Sequence, residues 1–182
     1  MKAWFISKRM IVDLTKVEKS KIEFDLEVKP GELDFESEYV SANGDLNFRG
    51  ELDNQEYWTE VSGQIDADLK LACGRCLEPV ESEIENEFEI AFITPDNYSE
   101  ERETELEVKE LPVSIFEGNE IDLVKLAQEQ IMLSLPSQTL CREDCKGLCT
   151  KCGINKNFES CDCDKTQVDS RWEALKQLKI DE

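Results

Sequence analysis

The sequence predicts an α+β fold: a mainly antiparallel β body with one packed helix, a cysteine-rich tail and a short C-terminal helix. Three observations predict it. Residues 21–28, 57–71 and 80–92 alternate apolar and polar side chains, the period of two that marks a strand with one wet face. Residues 121–135 carry apolar side chains at helical spacing and are stopped by Pro136. Six of the 8 cysteines then fall between Cys141 and Cys163. The expected organisation is a body over residues 1–136, a cysteine module over 137–168 completed by Cys73 and Cys76, and a last helix over 169–182.

Each element follows from its residues. Residues 10–14 suit a short strand. In the next strand Ile22, Phe24, Leu26 and Val28 face one way and Lys21, Glu23, Asp25 and Glu27 the other, until Pro30-Gly31 ends it. Residues 37–42 and 45–52 flank Asn43-Gly44, a pair that accepts positive φ, so a hairpin is expected there. Val61, Ile65, Ala67, Leu69 and Leu71 mark the following strand, which runs into Cys73-Gly-Arg-Cys76. Ile84, Phe88, Ile90 and Phe92 mark the one after it. The first C-x-x-C therefore sits in the turn between two long strands. Residues 94–105 are polar and read as an exposed loop. Residues 106–108 and 113–116 read as short extended pieces. Asn119 is the expected cap of a helix over 121–135, with Leu123, Val124, Ala127, Ile131 and Leu135 packed on the sheet. Ser170 with Glu173 fits a capping box for the last helix, whose stripe of Trp172, Leu175 and Leu178 is expected to dock on the body, with service to a partner as the alternative.

Cysteine spacing carries the chemistry. Eight cysteines make two sets of four, and a Cys₄ tetrahedron is the commonest closed, structural zinc site. A C-x-x-C loop lets both thiolates face one ion, and Gly153 after Cys149-Thr-Lys-Cys152 eases the tight turn. Cys161-Asp-Cys163 is too close to bridge comfortably as a disulfide, yet both sulfurs can reach one metal. Two structural zinc ions are expected. Cys149, Cys152, Cys161 and Cys163 form the compact site because short loops close at little entropic cost. Cys73, Cys76, Cys141 and Cys145 form the other and staple the tail to the body; a pairing of Cys73 and Cys76 with Cys149 and Cys152 is the alternative.

Other uses of these thiols fit less well. A disulfide framework belongs to short secreted chains. The opening Met1-Lys-Ala-Trp-Phe-Ile-Ser-Lys-Arg has only a brief apolar run before charge, so a cytoplasmic location is expected. A redox pair wants its first cysteine at a helix N-terminus, whereas Cys73 follows a strand and has Glu78 and Glu81 nearby. Redox-regulated zinc chaperones place C-x-C before C-x-x-C; here the order is reversed. With 0 histidines, Cys₂His₂ sites and histidine acid–base or nucleophilic chemistry are excluded, and no enzyme activity is expected.

Charge points to the partner. There are 42 acidic and 21 basic residues, a net of −21. Two zinc ions on eight thiolates would each leave about −2 more. A field of that sign repels phosphate and attracts basic proteins. The acids concentrate in residues 32–68 and 78–110, and alternation is expected to place most of them on one wet sheet face. Glu83, Glu85 and Glu87 are the candidate partner-binding residues. Possible RNA contacts are confined to the less acidic metal end: Lys70, Arg75, Arg142, Lys146, Lys151, Lys156 and Lys165. No apolar run is long enough to span a membrane.

The order of features resembles a known family. Cys73-Gly-Arg-Cys76-Leu77-Glu78 is followed by Glu120-Ile-Asp-Leu123 and Leu133-Ser-Leu-Pro136. Then come Cys141, Cys145-Lys-Gly-Leu-Cys149, Cys152-Gly153, Asn155, Asn157, Cys161-Asp-Cys163 and Asp169-Ser-Arg171-Trp-Glu-Ala-Leu175-Lys-Gln-Leu178. This is similar to the YceD family of large ribosomal RNA subunit accumulation proteins. Thr150 stands where proline often follows the matching cysteine in that family. The resemblance implies a non-enzymatic role in large-subunit assembly or ribosomal RNA accumulation. Its expected partner is a basic large-subunit ribosomal protein or a pre-ribosomal particle, with direct RNA contact secondary.

Overall fold

The computed structural model describes residues 10–17, 21–55, 57–95 and 112–163. The alternating runs become one sheet. Strand β1 is Ile11–Asp13, β2 Lys21–Val28, β3 Val40–Asn54, β4 Trp58–Ala72, β5 Pro79–Ile93, β6 Val113–Ile115 and β7 Glu120–Asp122, and helix α1 is Leu123–Ser134. The main sheet has the order β2-β3-β4-β5-β6. Its pairs are antiparallel up to β5, and β6 joins β5 in parallel. Strands β1 and β7 pair separately.

One face of the sheet is apolar. Phe24, Leu26 and Val28 of β2, Leu46, Phe48 and Leu52 of β3, and Val61, Ile65, Leu69 and Leu71 of β4 are buried together. Leu123, Leu126, Ala127 and Ile131 of α1 lie in the same core. The rings of Phe24 and Phe48 meet edge-on with centroids 4.7 Å apart. Burying such side chains is the main favourable contribution to folding.

Two local readings are corrected. Asn43-Gly44 makes no hairpin. Among the described residues the non-glycine positive-φ positions are Glu36 and Leu77, and the glycine ones Gly118, Gly147 and Gly153, so neither Asn43 nor Gly44 has turn geometry. The chain instead runs straight on against β4. Ala42 pairs with Leu69 and Leu46 with Ala67, so residues 43–45 bulge opposite Asp68. A 15-residue β4 offers a ladder to both halves of β3, and a hairpin would orphan part of that ladder. The helix also starts later than expected. Asp122 is its cap, with its carboxylate accepting from the Val124 and Lys125 amides at 3.0 and 3.1 Å. Residues 120–122 are held extended by pairing with β1, and the Asn119 carbonyl accepts from the Leu14 amide at 2.7 Å. Leu126 and Gln130 join its buried face, while Val124 and Leu135 are only partly covered. The expected extended piece at 106–108 and the last helix with Ser170, Trp172, Glu173, Leu175 and Leu178 lie outside the described residues.

Gly50 and Gly63 face each other across β3 and β4. A Cβ on Gly50 would stand 2.1 Å from the Ser62 carbonyl oxygen and 2.9 Å from Phe24 Cζ. Gly50→Ala is therefore expected to destabilise the body by about 1–3 kcal/mol, the range for overpacking. An unchanged denaturant midpoint would contradict this close packing. Among the described residues no helix is long and apolar enough to cross a membrane.

Candidate metal centres

Each C-x-x-C knuckle is folded by the same two backbone bonds. In the first, the Cys73 amide donates to the Glu78 carbonyl at 2.8 Å and the Leu77 amide to the Cys73 carbonyl at 2.9 Å. In the second, the Cys149 amide donates to the Ile154 carbonyl at 2.8 Å and the Gly153 amide to the Cys149 carbonyl at 2.9 Å. Both place a left-handed residue after the second cysteine, Gly153 with φ 75° and Leu77 with φ 63°. That conformation is easy for glycine and costs an L-residue about 1–2 kcal/mol. Leu77 recovers little by packing, since it is 53% exposed. Leu77→Gly is therefore expected to stabilise the first knuckle. The net gain is about 1 kcal/mol at most, because glycine also loosens the unfolded chain. A lower thermal midpoint would refute this account of the turn.

The fold gathers the sulfurs into two sets. Those of Cys73, Cys76, Cys141 and Cys145 all lie within 4.8 Å of one another, as do those of Cys149, Cys152, Cys161 and Cys163. Cys73 and Cys145 approach to 3.9 Å, and Cys76 and Cys141 to 3.6 Å. A disulfide needs about 2.05 Å. Sulfurs at 2.3 Å from one tetrahedral zinc would stand about 3.8 Å apart. The separations thus suit four ligands of a common ion. Four soft thiolates select zinc or an iron–sulfur cluster over magnesium or calcium.

The proximal set joins body to tail. Cys73 and Cys76 come from the β4–β5 turn, Cys141 and Cys145 from the chain beyond α1. The Gly74 amide donates to the Thr139 carbonyl at 2.8 Å, and the Leu148 amide to the Arg75 carbonyl at 3.0 Å. The Arg75 guanidinium donates to the Cys145 carbonyl at 3.0 Å. Cys73, Cys76 and Cys145 are buried against Val80, Leu140 and Leu148 in a small apolar cluster of their own. The distal set is wetter: Cys149 is buried, Cys161 and Cys163 are half-buried and Cys152 is exposed.

The thiols of each set cannot ionise together unaided. Burial opposes the Cys73 thiolate, but backbone N–H groups of Cys141, Arg75 and Cys76 outweigh it and hold the thiol down at about 6. Burial, then the neighbouring thiols, pushes Cys141 up to about 12. Backbone amides of Cys152 and Lys151 hold Cys149 at about 6, while Cys152 and Cys161 push Cys163 to about 12. A cation is what would let all four thiolates of a set coexist.

Two residues that the sequence reading noted only within the family pattern, not as site residues, complete the proximal site. The Asn157 side-chain amide donates to Cys145 Sγ at 3.3 Å and is the leading cause that lowers that thiol. The Asn155 amide donates to the Glu78 carboxylate at 3.2 Å. Their signal in the sequence was two asparagines one residue apart inside the loop between two cysteine pairs.

The basic residues stand in different surroundings. Lys70 lies on the exposed face of β4, in register with Glu81. The Arg75 guanidinium is engaged by backbone carbonyls, and Arg142 pairs with Asp144 at 3.5 Å. Lys146 and Lys151 are exposed, Lys156 is half-buried, and Lys165 lies outside the described residues.

The acids are better gathered. Register places Glu23 and Asp25 of β2, Glu51 and Asp53 of β3, Glu60, Asp66 and Asp68 of β4 and Glu81, Glu83, Glu85, Glu87 and Glu89 of β5 on the face away from the core. Glu32, Asp34 and Glu36 precede β3, and so does Glu38, which the expected strand over residues 37–42 had included. Acids 96–110 lie outside the described residues.

Comparison with known proteins places the chain. The family described as "Large ribosomal RNA subunit accumulation protein YceD" matches residues 61–179. The chain is 31% identical over 118 residues to the uncharacterized protein Rv2926c of Mycobacterium tuberculosis, a match covering 65% of this chain and 54% of that protein. It is 27% identical over 172 residues to the uncharacterized protein YlbN of Bacillus subtilis, covering 94% and 95%. Over 63 residues it is 35% identical to the chloroplastic large ribosomal RNA subunit accumulation protein YCED homolog 1 of Arabidopsis thaliana, covering 35% and 20%. The chain thus spans about half the length of the mycobacterial relatives it matches. No solved structure matches it. Because residues 61–179 take in most of the chain and all 8 cysteines, this chain belongs to the YceD family.

Proposed function

We propose that this chain is a non-enzymatic cytoplasmic factor in large ribosomal subunit assembly or ribosomal RNA accumulation. Its acidic sheet face holds a basic large-subunit ribosomal protein, alone or on a pre-ribosomal particle. Two structural zinc ions close the two cysteine sets and fix the tail to that platform.

The carrying observation is the β4–β5 register. Asp68 stands opposite Glu83 and Asp66 opposite Glu85. Like charges directly across a ladder repel. Cations on this face neutralise only part of it: Lys21 pairs with Glu51 at 2.8 Å and Arg49 with Asp66 at 3.1 Å. Glu83, Glu85 and Glu87 form no ion pair with described residues and are exposed. A cavity at Gly50 and Gly63 is lined by Glu23, Asp25, Glu51, Glu87 and Glu89 with Arg49, together with Phe24 and Phe88. Such a surface raises the local concentration of lysine- and arginine-rich partners and repels the phosphate backbone. The family description supports the ribosomal setting. RNA contact is secondary on this reading, through Arg142, Lys146, Lys151 and Lys156.

Capture on the tagged full chain, followed by mass spectrometry and RNA sequencing, tests the reading. Basic large-subunit proteins should be retained after nuclease treatment and released by salt. Recovery of ribosomal RNA alone, with no ribosomal protein after nuclease treatment, would overturn it.

A further inference from the structure

The loop between Cys152 and Cys161 belongs to the distal set, yet its side chains serve the proximal one. Cys149, Cys152, Cys161 and Cys163 would close residues 153–160 on themselves when they share an ion. From that loop Asn157 reaches out in two directions: its amide nitrogen donates to Cys145 Sγ at 3.3 Å, and its carbonyl oxygen accepts from the Lys146 amide at 2.8 Å. Asn155 holds Asn157 in place by accepting from both its backbone and its side-chain N–H, at 3.0 and 2.9 Å. Asn155 also donates to Glu78, next to the left-handed residue of the first knuckle. Backbone bonds reinforce the link: the Lys156 amide donates to the Gly147 carbonyl at 2.9 Å, and Leu148 bridges to Asn155. The proximal sulfur Cys145 thus takes a hydrogen bond from a loop whose two ends the distal set brings together. Outer hydrogen bonds of this kind orient a metal ligand and commonly change metal affinity by about 10–100-fold.

We propose that the two cysteine sets load metal as a coupled pair, with Asn157 as the positioning residue that transmits occupancy of the distal set to Cys145. This rests on the reading that both sets hold metal. A filled distal set orders the 153–160 loop before the proximal set binds, so the proximal ion meets a ligand already aligned. The coupling is reciprocal, so a filled proximal set tightens the distal one by the same factor.

The test uses the reduced full chain, metal-stripped and then titrated with Zn²⁺ against a chromogenic chelator, and with Co²⁺ for its thiolate absorption. Three proteins are compared: the wild type, Cys161→Ser/Cys163→Ser, and Asn157→Ala. The double variant should bind one ion, about tenfold or more weakly than the wild type binds at its proximal set. Asn157→Ala should keep two ions and show a similar weakening of one step only. Adding Asn157→Ala to the double variant should weaken it little further, because the loop is already released. Equal proximal affinity, within about twofold, in the wild type and the double variant would overturn the coupling. So would an Asn157→Ala chain that binds both ions as tightly as the wild type. A wild-type chain that takes up no metal would remove the metal reading as well, whereas two ions bound independently would remove the coupling alone.

Discussion

Cys73→Ser is expected to empty the proximal metal set and release the tail from the sheet. Cys73 is fully buried at the end of β4, and its sulfur sits 3.9 Å from that of Cys145. A serine hydroxyl is a poor ligand there and would leave a buried polar group where a thiolate stood. Binding of a structural zinc amounts to about 10–16 kcal/mol, and where no site exists in the unfolded chain that energy belongs to folding. Among the described residues, the apolar cluster around this set holds only Val80, Leu140 and Leu148 besides the buried cysteines, too little to hold the tail alone. Metal content should fall from about two ions per chain to about one, and amide protection should be lost over residues 139–149 and in the first knuckle. Cys149→Ser should act more narrowly. It opens the distal set, while the body keeps the core shared by β2, β3, β4 and α1. Exchange that rises equally across body and tail in Cys149→Ser would refute this division.

Strands with one wet face were legible almost to the residue, because period-two alternation is a direct record of which side is buried. The run 21–28 is β2, and 57–71 lies within a residue of β4. What failed was local chemistry overridden by a partner. Asn43-Gly44 reads as a turn on its own, but a strand as long as β4 supplies hydrogen bonds on both sides of it. Glu120-Ile-Asp-Leu123 reads as a helix start, but β1 claims the first three residues and leaves Asp122 as the cap. The grouping of cysteines followed from spacing, since short loops close cheaply. Asn155 and Asn157 were not legible as site residues, because polar residues between cysteines look like any turn. The basic set is clustered in sequence, and the fold adds what sequence could not give: Lys70 stands in register with Glu81, and the Arg75 guanidinium donates to the Cys145 carbonyl.

Reversing Glu83, Glu85 and Glu87 to lysine is expected to be the most damaging change to partner binding that leaves the fold intact. All three are exposed on β5, and none forms an ion pair with described residues, so their reversal breaks no ion pair among the described residues. Their neighbours on β4 include Asp66 and Asp68, so lysines there would gain cross-strand ion pairs and relieve repulsion. Stability should hold or rise slightly. The field at the face changes by about six charges, which acts mainly on the encounter rate and can alter it by about tenfold to a thousandfold. Wild-type stability combined with lost binding separates a docking role from a structural one.

The most direct test titrates a purified basic large-subunit ribosomal protein against the wild type, the triple lysine variant and a variant lacking Arg142, Lys146, Lys151 and Lys156, across a salt series. The acidic-face account predicts association that slows steeply as salt screens the face, binding at least about tenfold weaker in the triple variant, and little change when the basic set is removed. Binding of ribosomal RNA that is tight at physiological salt, survives the triple reversal and disappears with the basic set would contradict it.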